Sequence, residues 1–315
     1  NARQKLYIDE DNDQSDCNVD NAHNGNESAC NVCNALAVIA SAMYSGVPFE
    51  ACQRGIAAFR GAGRRFEILG EYNGAVAVYN YKTGQTICMA SAPNYDPLDK
   101  PDDIDTDESG KYDGIYLNRA ISGVFTPGST FKVVTAIAAI ENIPGLYNRT
   151  FNCKGKLTTG SGKGDGDVIC NDVHYEVSFE EGLRESCNVV FATLANEVGA
   201  EKLTETVRKL GFEETVIISK AEMAENVFDV SKSTRLDIGW AGIGQYTTLV
   251  SPCQMMMLMG GIANDGKQII PYIVESSSEL IDVKGKVNSA FQLLPETAAQ
   301  MKKLLRANVV NYYGD

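Results

Sequence analysis

Residues 126–132 read "TPGSTFK" and run without a break into "VVTAIAAIE", residues 133–141. The stretch has the makings of a helix start. Thr126 suits the N-cap, and Pro127 suits the first helical position, where its missing N–H costs nothing. Residues 133–140 are almost uniformly apolar, so the helix belongs inside the protein. Lys132 is then the anomaly, because a buried ammonium is costly unless it is paired or neutralised. Ser129 and Lys132 stand three residues apart, on one face of the first turn. Ser129 sits where backbone N–H groups without intrahelical partners and the positive end of the helix dipole converge, a setting that favours an oxyanion. A desolvated Lys132 loses proton affinity and can act as general base for that hydroxyl. The spacing reads either as a nucleophile and its base or as an ordinary helix start, and the pair alone does not decide.

Other serine chemistries find less support. The histidines are His23, in a polar tail, and His174, in a loop. No G-x-S-x-G elbow occurs, which argues against a Ser-His-Asp arrangement. A partner for the lysine-assisted serine stands further along, at Ser186-Cys187-Asn188, where a helix opened by the capping box Ser178…Glu181 ends. A hydroxyl and an amide two residues apart on a loop can face one cleft. Ser186 would relay a proton between the lysine and a leaving amine, and Asn188 would hold a substrate amide. The same residues also suit a cap joining two helices.

The bulk numbers narrow the setting. A chain of 315 residues has room for one large domain or two ordinary ones. At 44% apolar and 22% charged its composition is that of a globular protein. A formal net charge of -13 makes nucleic acid and anionic membrane surfaces poor partners. No run of apolar residues is long enough to span a bilayer. The chain opens on Asn1 without a signal-peptide pattern, which leaves a start beyond an anchor or signal open. Its nine cysteines are irregularly spaced. Cys30-Asn-Val-Cys33 lacks a second pair or a His at metal spacing, so it is not read as a zinc or redox site. Most of the others lie in apolar runs and read as small core residues. Cys153 and Cys170 flank a Gly-rich loop (154–167) and are candidates for a disulfide. No metal and no organic cofactor is implied.

Along the chain, residues 1–29 are acidic, Asn-rich and nearly devoid of aliphatic side chains, which reads as a disordered tail. Asp9, Asp11 and Asp13 do not make an EF-hand, since Gln14 and Asp20 stand where Gly and Glu are needed. Residues 30–70 form a helical segment, with apolar positions at Leu36, Ile39, Ala40 and Met43 and again at Ile56 and Phe59. From Gly74 the period becomes that of strands. "GAVAVYNYKTGQTICMAS" predicts a hairpin turning at Lys82-Thr83-Gly84. An acidic surface loop covers 94–118. A further helix is expected to open at Ser251-Pro252-Cys253-Gln254, with a serine cap and a reciprocal Gln, and to end at Asn264-Asp265-Gly266. More strand is expected at 270–290. The pattern is mixed α+β without regular βαβ alternation.

Together these residues resemble the transpeptidase domain of penicillin-binding proteins. The likeness covers roughly residues 70–315. It rests on "GAVAVYNYKTGQTICMASAPNYDP", "NRAISGVFTPGSTFK", "SCNVVFATLANEVG" and "GIGQYTTLVSPCQMMMLMGGIANDG". It implies an α+β fold of the penicillin-binding transpeptidase and serine β-lactamase type, an antiparallel sheet with helices on both faces, over a domain at 71–315. By position, Ser129 resembles the acylated nucleophile, Lys132 its base, and Ser186 and Asn188 the second motif, with Asn188 as the substrate-binding residue. The function implied is a peptidoglycan D,D-transpeptidase working through an acyl-serine. Its partners would be peptidoglycan stem peptides, β-lactam antibiotics and proteins of a divisome or elongation complex. The implied location is extracytoplasmic, on a membrane-anchored full-length protein. A β-lactamase-type hydrolase shares the S-x-x-K chemistry, and a non-catalytic sensor of β-lactam or peptidoglycan is a third reading.

The resemblance has two departures. The family's third motif, Lys-Thr-Gly or Lys-Ser-Gly on a strand bordering the cleft, is expected after "LPETAAQMKKLLRANVV", beyond Asp315. The last strands are therefore expected to be missing, the cleft open and activity impaired. Lys82-Thr83-Gly84 precedes the nucleophile and reads as a turn, as does Lys284-Gly-Lys286. Residues 31–70, in turn, resemble the junction of two domains in UDP-N-acetylmuramate–alanine ligase. They carry no phosphate-binding loop.

Overall fold

The structure, a computed structural model, describes residues 74–160, 166–274 and 285–310. The acidic tail, the two helices expected within 30–70, Cys30 and Cys33 lie outside the described residues. So does Lys284.

The predicted hairpin is present. β1 (Gly74–Tyr79) pairs antiparallel with β2 (Thr86–Ala92), Val76 opposite Ala90, with an irregularity at Val78/Tyr79. Lys82-Thr83-Gly84 lies in its turn, where the Asn80 side-chain oxygen accepts from the N–H groups of Lys82 and Thr83. Gly84 is required there: its φ is 81°, and a Cβ would come within 2.6 Å of the Ile270 carbonyl oxygen. After the acidic loop, Asn118 caps the short α1 (Arg119–Ser122). Arg119, nearly buried, donates to the carbonyls of Asp113 and Gly114 and so ties the loop to the body.

α2 (Lys132–Asn142) is the central helix, and its residues from Lys132 to Ala139 are all buried. Thr126 does not cap it, contrary to the sequence expectation. The chain enters through a 3-10 turn, Gly128–Phe131, with no side-chain cap. There the Gly128 N–H donates to the Gly244 carbonyl at 2.9 Å, which supplies the partner a capping side chain would have given.

β3 (Thr150–Cys153) pairs with β6 (Tyr175–Ser178), and between them β4 (Lys156–Thr158) pairs with β5 (Asp167–Ile169). The capping box at Ser178 and Glu181 forms as predicted and opens α3 (Phe179–Arg184). α4 (Asn188–Lys209) packs along α2 and is broken at Gly199, which takes φ 81°. A minimal pair, β7 (Ile217–Ile218) and β8 (Ala221–Glu222), precedes α5 (Arg235–Gly242), which opens on a capping box at Thr234 and Asp237. Partly buried Trp240 of α5 packs on the main core, and its carbonyl accepts from the N–H groups of Ile243 and Gln245.

α6 (Pro252–Ala263) begins and ends where expected, but its serine cap is not made. The Ser251 hydroxyl donates instead to the Ala120 carbonyl, and Gln254 Nε2 donates to that of Leu210, so both side chains tie the helix to neighbouring segments. The strand expected at 270–290 appears, among the described residues, only as isolated bridges, Gln85 to Tyr272 and Ile269 to Val287. α7 (Pro295–Asn308) packs on α2, α3 and α6.

The class is α+β, as expected. The antiparallel sheet is drawn, among the described residues, as four two-stranded pairs. The main core runs from Phe131 through α2 and α4 to Leu304. A second cluster, Ala120, Ile121, Val216, Ile218, Met223, Cys253 and Met257, seats the first hairpin. Burying a side chain such as Phe131 or Leu194 stabilises by about 1.5–3 kcal/mol. The helix carrying Lys132 thus lies within the main core.

Candidate active site

Ser129 lies exposed on the 3-10 turn, while Lys132, one turn on, is 1% exposed. Phe131 between them fixes the turn: it stacks on Phe228 at 5.4 Å and meets Phe212 edge-on at 6.0 Å. A second constraint comes from Gly244, whose φ is 75° and where a Cβ would fall 2.1 Å from the Gly128 carbonyl oxygen. The segment around Gly244 is therefore pressed backbone to backbone on the turn that presents Ser129.

The second motif reaches the same point from α3 and α4. Ser186 takes φ 52° and Asn188 is the first residue of α4. This left-handed bend aims the Ser186 carbonyl and hydroxyl, together with the Asn188 amide, at the lysine. Lys132 Nζ lies 3.1 Å from Ser129 Oγ, 2.9 Å from Ser186 Oγ, 2.6 Å from Ser186 O and 2.6 Å from Asn188 Oδ1. Asn188 is itself held by its Nδ2, which donates to the Ile169 carbonyl at 2.9 Å. All four residues singled out from the sequence are brought together.

The contacts bear on protonation. Two of the four partners, a carbonyl and an amide oxygen, can only accept. A neutral amine gives them its two protons and keeps its lone pair for a hydroxyl, whereas an ammonium has no lone pair to offer. The partners are all uncharged. Burial is the main influence on the lysine and lowers its pKa to about 8, against a weaker opposing pull from Cys170 and Cys187. The arrangement can therefore withdraw the Ser129 proton and pass it on through Ser186.

Directly behind the second motif lie four groups with metal-binding chemistry. Cys153, Cys170, His174 and Cys187 place their ligand atoms within 4.8 Å of one another. Cys153 and Cys170 are free thiols, so the disulfide expected between them is not formed. Cys170 instead faces Cys187 and His174. Reading the cysteines as core filler missed this grouping. Its members come from β3, from the segment between β5 and β6, and from the residue preceding α4, and no linear spacing announces them. Gly244 was also missed as a positioning residue, although a glycine two residues after Gly242, ahead of a polar turn, was the available signal.

Comparison with known proteins bears on the whole. A family model described as the penicillin binding protein transpeptidase domain matches residues 74–315. The chain is 31% identical over 219 residues to the peptidoglycan D,D-transpeptidase PbpA of Mycolicibacterium smegmatis, covering 66% of this chain and 44% of that protein. It thus spans less than half of that relative's length. In fold it is similar to penicillin-binding protein A of M. tuberculosis in a ceftriaxone acyl-enzyme complex, with TM-score 0.64 and 24% identity over 75% of this chain and 56% of the other. It is likewise similar to the D,D-transpeptidase domain of a peptidoglycan glycosyltransferase from Eggerthella lenta, with TM-score 0.64 and 24% identity over 78% and 62% of the two chains.

Proposed function

The chain belongs to the penicillin-binding protein transpeptidase family, as the match over residues 74–315 shows, and on that premise we propose that it is a serine D,D-transpeptidase of peptidoglycan. Ser129 Oγ attacks the carbonyl of the penultimate D-alanine of a stem peptide while Lys132 Nζ takes its proton. The tetrahedral oxyanion is met by the Ser129 backbone N–H, since that of Gly128 is taken by the Gly244 carbonyl. As the intermediate collapses, the proton returns through the Ser186 hydroxyl to the departing D-alanine amine. The resulting ester is resolved by an amine of a neighbouring stem peptide, with the same lysine as base. Asn188 holds the substrate amide and the lysine together. A β-lactam enters as an acyl donor whose leaving amine stays tethered, so it stops at the ester.

The observation that carries this reading is the four-fold contact of the buried Lys132 amine with Ser129, Ser186 and Asn188. An extracytoplasmic setting follows from the substrate. Among the described residues no helix is long and apolar enough to cross a membrane.

The test is intact mass after incubation with benzylpenicillin. The expected outcome is a single stable adduct of one penicillin on the wild-type chain and none on Ser129→Ala. An adduct that persists in Ser129→Ala would overturn the assignment. Rapid release of penicilloate from the wild type would assign a hydrolase instead.

A further inference from the structure

We propose that Cys153, Cys170, His174 and Cys187 form a tetrahedral zinc site that braces the second motif of the active centre. The distances are those that zinc imposes. Zn–S bonds of about 2.3 Å and Zn–N bonds of about 2.0–2.1 Å give tetrahedral edges of about 3.8 Å between sulfurs and about 3.6 Å between sulfur and nitrogen. Cys170 Sγ lies 3.8 Å from Cys187 Sγ and 3.6 Å from His174 Nδ1. All four ligand atoms fall within 4.8 Å of one another, so closing on a central ion needs shifts of about an ångström or less. A disulfide needs sulfurs about 2.05 Å apart, which the Cys170–Cys187 pair does not approach.

The donor set points to the metal. Three thiolates and an imidazole in a tetrahedron suit zinc, whereas calcium and magnesium take oxygen ligands. Binding forms three Zn–S bonds and one Zn–N bond, with neutral His174 giving its lone pair. The three thiol protons and the ion's water ligands leave to solvent. The surroundings suit the charged product. The Asn188 backbone N–H, at the start of α4, donates to Cys170 Sγ at 3.3 Å, a hydrogen bond that favours the thiolate. Cys153, Cys170 and Cys187 are buried, and His174 is partly exposed, which leaves a way in for the ion.

The placement gives the ion a role. Cys187 stands between Ser186 and Asn188, whose oxygens surround Lys132 Nζ. Cys153 ends β3, and Cys170 is joined by its N–H to the Gly155 carbonyl. A bound ion therefore cross-links the β3–β6 region to the bend that aims Ser186, positioning it without touching substrate. This positional role rests on the acyl-serine reading; the metal content does not.

The test is elemental analysis of the chain purified under reducing conditions and reconstituted with zinc. We expect about one zinc per chain, unchanged in the Cys30→Ser/Cys33→Ser and Cys88→Ser variants, and less than a tenth of that in Cys170→Ser and in His174→Ala. Cobalt in place of zinc should show the intense visible bands of tetrahedral thiolate coordination in the wild type. Stripping the wild type with a chelator should slow benzylpenicillin acylation at least tenfold, and restoring zinc should recover it. A wild-type chain that takes up no zinc, or zinc that stays in Cys170→Ser but leaves with Cys30 and Cys33, would overturn the site. A Cys170–Cys187 disulfide in non-reducing peptide maps would overturn it too. Zinc bound but acylation indifferent to its removal would overturn the positioning role and leave the site.

Discussion

In the mechanism proposed above Lys132 is the residue on which the chemistry turns, because its charge decides whether Ser129 has a base. With its pKa drawn down to about 8 by burial, only about a tenth of the free protein holds the neutral amine at pH 7. The neutral form grows as pH rises and is nearly complete one to two units above 8. The second-order rate of acylation by benzylpenicillin should therefore climb about tenfold per pH unit below 8 and level off above it, as stopped-flow or mass measurement would record. A rate flat from pH 6 to 9 would mean that the lysine is not the base. Ser129 and Lys132 were legible in the sequence because one helical turn sets their distance. Ser186 and Asn188 became persuasive only through the family resemblance, since nothing local says that a bend will face a lysine 54 positions earlier. The cysteine and histidine cluster was not legible at all: β3–β6 pairing brings its members together, and that pairing spans a Gly-rich loop.

At the scale of elements, the site depends on two backbones in contact. The Gly128 N–H and the Gly244 carbonyl are hydrogen-bonded, and the Gly244 Cα faces the Gly128 carbonyl with no room for a methyl group. Gly244→Ala must both adopt a left-handed φ that disfavours a side chain and push the 3-10 turn away, which costs about 1–3 kcal/mol in strain alone. We expect that variant to lose at least tenfold in acylation rate and to melt several degrees lower, by calorimetry beside the penicillin assay. Gly199→Ala has an equally positive φ but nothing within 4 Å of its added methyl. It should lose stability while its acylation rate stays near that of the wild type. Elements whose partners are close in sequence were read correctly: the hairpin at 74–92 and the Ser178 capping box. The Ser251 cap failed because its hydroxyl found a carbonyl 131 residues away, and no local motif records that alternative.

On the scale of the whole molecule, the α+β class was readable from the change of period at Gly74, but not the way strands would pair. Alternating apolar residues define a strand's buried face and leave its neighbour open, so the pattern near 270–290 did not tell that its described residues would form only single bridges. The net charge of -13 was legible from composition and has a kinetic consequence. The ligands of the proposed reaction, penicillin and a stem-peptide terminus, are both anionic, so the field of the chain would oppose their approach. Raising ionic strength from about 0.01 M to about 0.2 M shortens the Debye length severalfold and should speed acylation by benzylpenicillin, by less than tenfold. An uncharged penicillin ester should be indifferent to salt. A rate that falls with salt would show instead that local cations around the cleft outweigh the overall charge.

The place of Trp240 adds an optical consequence. It is the sole tryptophan of the chain, it packs on the main core from α5, and its carbonyl holds Ile243 and Gln245 on either side of Gly244. The clasp over the Ser129 turn therefore carries its own chromophore. Indole emission, excited apart from the tyrosines, reports from one known point on the helix that leads into that clasp, without any label.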